Sequence, residues 1–162
     1  MLCIGTTQTY ADHVMAAEIS YQHLSGNDYV ITLKLYRDCA GIPLQALPTN
    51  VSFFSSCMPS FSQGLPYVAT NDVSQVCAGQ STTCNGGTLQ GVEQNVYQGI
   101  VNLPPCSDWS MTLFYTSRNS TITNLVNPAF TPLVIENTLN NVVGVHNNSP
   151  EFAVLPTPYL CA

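Results

Sequence analysis

The chain has 162 residues, room for one domain, and a net charge of −6 with only 7% charged residues, where an ordinary soluble domain has about 25%. Its cations are Lys34, Arg37 and Arg118, too few for a nucleic-acid footprint or a polybasic membrane anchor. A hydrophobic content of 45% argues against disorder, and no apolar run nears the roughly 20 residues of a spanning helix. Asn, Thr, Ser and Gln take the place of charge, as on extracellular β proteins.

In chain order, Met1–Ala11 reads as the remnant of an export signal, with a disordered leader as the alternative. Leu2-Cys3-Ile4 resembles the tail of an apolar segment, and Thr9-Tyr10-Ala11 a small-residue cleavage pattern. Residues 12–162 are then one domain. Val14–Leu24 reads as a strand, Ser25-Gly26-Asn27-Asp28 as a turn, and Tyr29–Arg37 as a second strand. In that strand Tyr29, Ile31, Leu33 and Leu35 share one face, a period of two that marks a half-buried strand. Asp38–Pro48 is a loop and Asn50–Ser56 a short strand. Cys57–Gly91, rich in Gly, Ser, Thr, Asn and Pro, reads as a long irregular insertion. Strands are expected at Val92–Leu103, Trp109–Ser117 and Pro132–Leu139, with one helical turn within Asn119–Val126 and a loop over Asn147–Pro158. Six or seven short strands, punctuated by turn residues and almost without helical periodicity, predict an all-β fold, an immunoglobulin-like β-sandwich. The abrupt end at Cys161-Ala162 reads as truncation from a longer polypeptide.

Seven cysteines occur without a C-x-x-C pair, which removes the zinc-ribbon and thioredoxin spacings. If Cys3 leaves with the leader, six remain: Cys39, Cys57, Cys77, Cys84, Cys106 and Cys161. Six cysteines allow fifteen connectivities. Cys77–Cys84, flanking a short Gly/Ser/Thr-rich loop, is the favoured pair, worth about 2.5 kcal/mol by loop entropy, against about 4 kcal/mol for a longer span such as Cys39 to Cys106. A nucleophilic thiol needs a basic neighbourhood, which this chain lacks, so disulfides are the expectation.

No G-x-S-x-G elbow and no H-E-x-x-H helix is present. His13, His23 and His146 read as rim histidines rather than a metal site, although His13 and His23 share a strand parity. Glu18, Asp38, Asp72, Glu93, Asp108, Glu136 and Glu151 are scattered singly rather than clustered as in a sugar-cleaving groove. No catalytic residue, metal site or cofactor is expected, with calcium on scattered Asp and Asn oxygens the one ion left open. With so few cations each should be partnered, and Arg118 is expected to fork onto Asp38 or Asp108. Trp109 is expected in the core against a disulfide, with an exposed lectin-like position as its rival. Tyr67, Tyr97 and Tyr115 are the candidate stacking platforms for a ligand. The sequons at Asn50, Asn119 and Asn147 are expected to be unmodified.

Several stretches together resemble a known family. They are His13-Val14-Met15-Ala16-Ala17-Glu18-Ile19-Ser20-Tyr21 and Tyr29-x-Ile31-Thr32-Leu33-x-Leu35-Tyr36-Arg37-Asp38-Cys39. Later come Tyr97-x-Gly99-x-Val101-x-Leu103-Pro104, Cys106-x-x-Trp109, Arg118-Asn119-x-x-Ile122-Thr123-Asn124-Leu125 and Asn148-Ser149-Pro150-x-Phe152. In this order they resemble the N-terminal domain of large Bacteroidetes cell-surface proteins. Those proteins continue into PKD or other Ig-like repeats and often end in a gliding-motility-associated sorting domain read by type IX secretion. The resemblance implies a secreted, cell-surface location and downstream Ig-like repeats as partners in the same chain. The function expected is that of a non-catalytic, structural or adhesive, adhesin-like module rather than an enzyme. A carbohydrate-binding domain and an accessory domain of a secreted hydrolase are the alternatives. Surface glycans and self-association through edge strands complete the expected partners, without nucleic acid or membrane insertion.

Overall fold

The computed structural model describes residues 14–44, 48–116, 118–119, 122–142 and 147–150. Eight strands run in the order β1 (Val14–Ser25), β2 (Asp28–Asp38), β3 (Thr49–Phe54), β4 (Phe61–Leu65), β5 (Tyr67–Asp72), β6 (Val92–Asn102), β7 (Trp109–Tyr115) and β8 (Leu133–Leu139). They form two four-stranded sheets, β1-β2-β6-β5 and β4-β3-β7-β8, in which every pairing is antiparallel. Read in chain order as A, B, C, C′, D, E, F and G, these are the A-B-E-D and C′-C-F-G sheets of an immunoglobulin-like sandwich.

Alternation builds the core. Tyr29, Ile31, Leu33 and Leu35 are all buried while their neighbours on β2 are half-exposed, as the period of two requires. Ile19 and Tyr21 from β1 and Tyr97 and Val101 from β6 join them, and Val51, Phe53, Met111 and Leu113 close from the facing sheet. Trp109 opens β7, fully buried, with its indole edge-on to Phe61 at 6.0 Å. Its Nε1 donates to Pro104 O at 2.9 Å, tying the start of the strand to the preceding corner, where immunoglobulin-like domains use a tyrosine hydroxyl.

The expected irregular insertion at 57–91 contains two strands. β4 and β5 form one stretch of chain that changes sheets at Pro66, where a missing N–H costs no ladder bond. Within 119–126, where a helical turn is expected, Ile122 N donates to Asn119 O at 3.3 Å and residues 120 and 121 lie outside the described residues; a separate 3₁₀ turn lies at Pro128–Phe130, where Pro128 presets the first helical φ. The β1 edge is occupied. Asn137 of β8 donates to Ile19 O, Ser149 N donates to Tyr21 O, and His23 N donates to Asn148 Oδ1 at 2.7 Å. Strand addition along these positions meets satisfied groups.

Two disulfides close the ends of the sandwich, and Cys106 of the second is itself part of the core. Cys39–Cys84 ties the β2–β3 loop to the β5–β6 loop, and Cys57–Cys106 ties the β3–β4 loop to the β6–β7 loop at the opposite end. The favoured Cys77–Cys84 pairing is therefore corrected: Cys84 is taken by Cys39, 45 residues away, and the Cys77–Gln80 turn is closed by Gln80 N donating to Cys77 O. Cys106 likewise pairs with Cys57, not Cys39. Cys77 is disulfide-bonded too. Cys3, Cys161, His13, His146, Glu151 and the 1–11 leader lie outside the described residues.

Each bridge closes a loop of more than forty residues, worth about 4 kcal/mol by chain entropy. Replacing Cys57 and Cys106 together by alanine is expected to lower the thermal midpoint by about 10 °C in a circular dichroism melt. A drop of less than about 2 °C contradicts the assignment of that end to the bridge.

Candidate functional site

The two ends of the sandwich are unequal. At one end the connections are short: residues 26–27, 55–60 and 103–108. At the other end three long loops emerge together, at 39–48, 73–91 and 116–132. The first two are bonded to each other, Cys39 N donating to Gly91 O at 3.1 Å, and the third is anchored to β1, Asn119 N donating to Val14 O beside the end of β2. Arg118 is the single charged residue in all three loops. The 73–91 and 116–132 connections exceed the roughly 12–15 residues beyond which a loop in a compact domain is either functional or a linker, and their anchoring to the strands makes this end the candidate site.

The loops stand on a buried polar floor. Arg37, at the top of β2, is 5% exposed. Its guanidinium forks onto Glu93 of β6, Nε to Oε1 at 2.8 Å and Nη2 to Oε2 at 3.0 Å. Nη1 donates to Asp38 O and Gly41 O, at 3.0 and 3.1 Å, which fixes the start of the 39–48 loop. Asn95, itself 2% exposed, donates to Glu93 Oε1 and accepts from Thr70. One planar cation thus organises two strands and a loop through four hydrogen bonds, at least one on each of its nitrogens.

The 73–91 loop is locked from within. Asp72 accepts from Ser74 and Asn85, and Ser74 Oγ accepts from Val92 N at 2.8 Å. Thr82 caps a 3₁₀ turn at Thr83–Asn85, and Thr83 N donates to Leu89 O at 2.7 Å. A Cβ on Gly91 would overlap the Cys84 sulfur, so glycine is what lets the chain return beneath the bridge. The loop's outer surface presents Gln75, Gln80, Ser81, Asn85, Thr88 and Gln90, all exposed and neutral.

The expected ion pair is corrected. Arg118 donates its Nε to Pro132 O at 3.1 Å and makes no ion pair with Asp38 or Asp108. Those two carboxylates lie at opposite ends of the sandwich. Asp38 accepts from Ala40 N and Gln90 Nε2, while Asp108 accepts from Ser56 N. The cation that carries the structural pair is Arg37, and its partner Glu93 was not singled out. Of the three candidate stacking platforms, Tyr97 is corrected. Tyr97 is 1% exposed, on the inner face with Tyr67 edge-on at 5.9 Å. Tyr67 and Tyr115 are half-buried against the core.

Chemically, the described residues are quiet. Ligand atoms of Cys57, Cys106 and Asp108 cluster within 4.8 Å, but the two sulfurs are bonded to each other and provide no thiolate. Asp72 and Glu93 face each other across the β5–β6 register, the one cross-strand carboxylate pair. The hydrogen bond from Arg37 holds Glu93 below the usual carboxylate range, and hydrogen bonds from Ser74 do the same for Asp72. A general acid needs the opposite shift. His23 turns Nε2 to Gly26 O at 3.0 Å and packs edge-on to Tyr29.

Two outcomes follow from this floor. Arg37→Ala is expected to cost about 3 kcal/mol in urea unfolding, because Glu93 is left partly buried without its partner, and pairing Arg37→Met with Glu93→Leu recovers most of it. Both carboxyl values are depressed on folding, so their stabilisation is whole above the unfolded values of about 4.3 for Glu93 and about 3.9 for Asp72 and drains as pH falls through the folded ones. Glu93→Gln is therefore expected to flatten the loss of urea stability between about pH 5 and pH 2, and an unchanged slope contradicts the assignment.

No protein-family model, curated protein or solved structure matches the chain, so what this end of the sandwich does is read from its own chemistry.

Proposed function

We propose that the chain is a non-catalytic module of a secreted bacterial cell-surface protein, adhesive or structural, that presents its long-loop end to its surroundings. The observation that carries this reading is the pairing of a disulfide at each end with three long loops that hold one charge between them. Stable disulfides belong to oxidising compartments. A loop fixed by a bridge and internal hydrogen bonds loses little entropy when it meets a partner, which favours a recognition surface. A near-neutral surface forms contacts that salt does not screen. The resemblance to N-terminal domains of Bacteroidetes surface proteins supports the same reading, with Ig-like repeats following in the chain and type IX secretion as the export route.

Limited proteolysis of intact cells that make the full-length protein tests location and redox state together. Peptides linked through Cys39–Cys84 and Cys57–Cys106 are expected in the material released from the cell surface. Recovery from the cytoplasmic fraction alone, with alkylatable thiols, contradicts the proposal.

A further inference from the structure

A second surface lies away from the loop end, on the outer face of the β1-β2-β6-β5 sheet. A groove of about 350 Å³ runs there between the sheet and the 148–150 segment. Its floor is a set of cross-strand rows. Ser20 of β1 lies beside Thr32 of β2, which lies beside Gln98 of β6, and Glu18 lies beside Lys34. Gln98 Nε2 donates to Thr32 Oγ1 at 2.9 Å, while Ser20 and Gln22 line the groove with no side-chain partner among the described residues. Lys34 and Glu18 meet at 3.4 Å, so the groove's two charges offset each other.

The wall is preformed. Ser149 exchanges hydrogen bonds with the Tyr21 backbone in both directions, and Asn148 Oδ1 accepts from His23 N. Because these bonds fill the β1 edge, a peptide cannot enter the groove by strand addition there. An anion finds no unpaired cation, and an apolar ligand finds a lining that is mostly polar, with Pro150 its one aliphatic residue. What remains is hydroxyls and planar amides repeating at the strand spacing of about 4.8 Å, a lattice of alternating donors and acceptors.

We infer that this groove binds a neutral, polyhydroxylated chain, an uncharged oligosaccharide lying across the strands. The ligand's hydroxyls replace water on Ser20, Gln22, Thr32 and Gln98, and Asn148 closes over one side. Tyr21, the one aromatic residue of the lining, is buried in the core at 8% exposure and offers no stacking face, so affinity is modest and rests on hydrogen bonds. The inference is independent of the loop-end reading, since the two surfaces share no residue.

The test is an NMR titration of the oxidised full chain with three neutral probes, maltohexaose, cellohexaose and mannohexaose, and one acidic probe, a galacturonate hexamer. At least one neutral probe is expected to saturate in the millimolar range, with amide shifts confined to the outer positions of β1, β2 and β6 and to Asn148 and Ser149. Thr32→Val with Gln98→Ala is expected to weaken that binding by about tenfold, two hydrogen bonds' worth, with an unchanged melting temperature. No saturable shift from any neutral probe at about 10 mM overturns the inference. So do tighter binding of the acidic probe, shifts that map to the 73–91 or 116–132 loops, and binding that the double variant leaves intact.

Discussion

The guanidinium of Arg37 sits at the point on which the loop end depends. In a chain with three cations, one is nearly fully buried and committed to Glu93, to two backbone carbonyls and, through Glu93, to Asn95. A buried charge with a missing partner is costly, so β2, β6 and the start of the 39–48 loop hold their relative positions or the pair is lost. Directly above, Cys39–Cys84 and the bond from Cys39 N to Gly91 O extend that fixed geometry into the 73–91 loop. The disulfide limits how far the unfolded chain can separate, while the ion pair fixes how the folded strands meet.

Sparse charge shapes the remaining surface. On the outer face of the β1-β2-β6-β5 sheet, Asn71 donates to Gln94, Gln94 donates to the Tyr36 hydroxyl, and Tyr36 reaches Glu18, which meets Lys34. This ladder crosses all four strands and takes the place that ion pairs hold on more charged proteins. Cross-strand pairs of this kind contribute a few tenths of a kcal/mol each and keep the surface polar without a strong field. Neutral hydrogen-bonding chemistry is thus common to the groove and to the long-loop end.

Much of the sandwich was legible because alternation is local. Tyr29 to Leu35 declares its buried face within seven residues, and β1, β6, β7 and β8 announce themselves similarly. β4 and β5 were hidden because Phe61–Leu65 and Tyr67–Asp72 are short, interrupted by Gly64 and Pro66, and part to different sheets, β4 onto β3 and β5 onto β6. The candidate site was less legible. Which sulfurs meet, and that Glu93 rather than Asp38 faces a cation, depends on register between β2 and β6, 56 residues apart in sequence. Tyr97 carried a usable signal: it shares parity with Val101 and Leu103, which marks the inward face, and its hydroxyl suggested a surface role it does not have.

The central claim is that the long-loop end is preorganised by the Arg37 floor and its bridge. Native-state hydrogen exchange on the amides of Cys39, Thr83, Gly87 and Val73 measures this directly. The account predicts that these loop amides, bonded to Gly91, Leu89, Thr82 and Val92, open at a free energy within about 1 kcal/mol of the amides in β2 and β6. Exchange at nearly the free-peptide rate while β2 and β6 stay protected would contradict it.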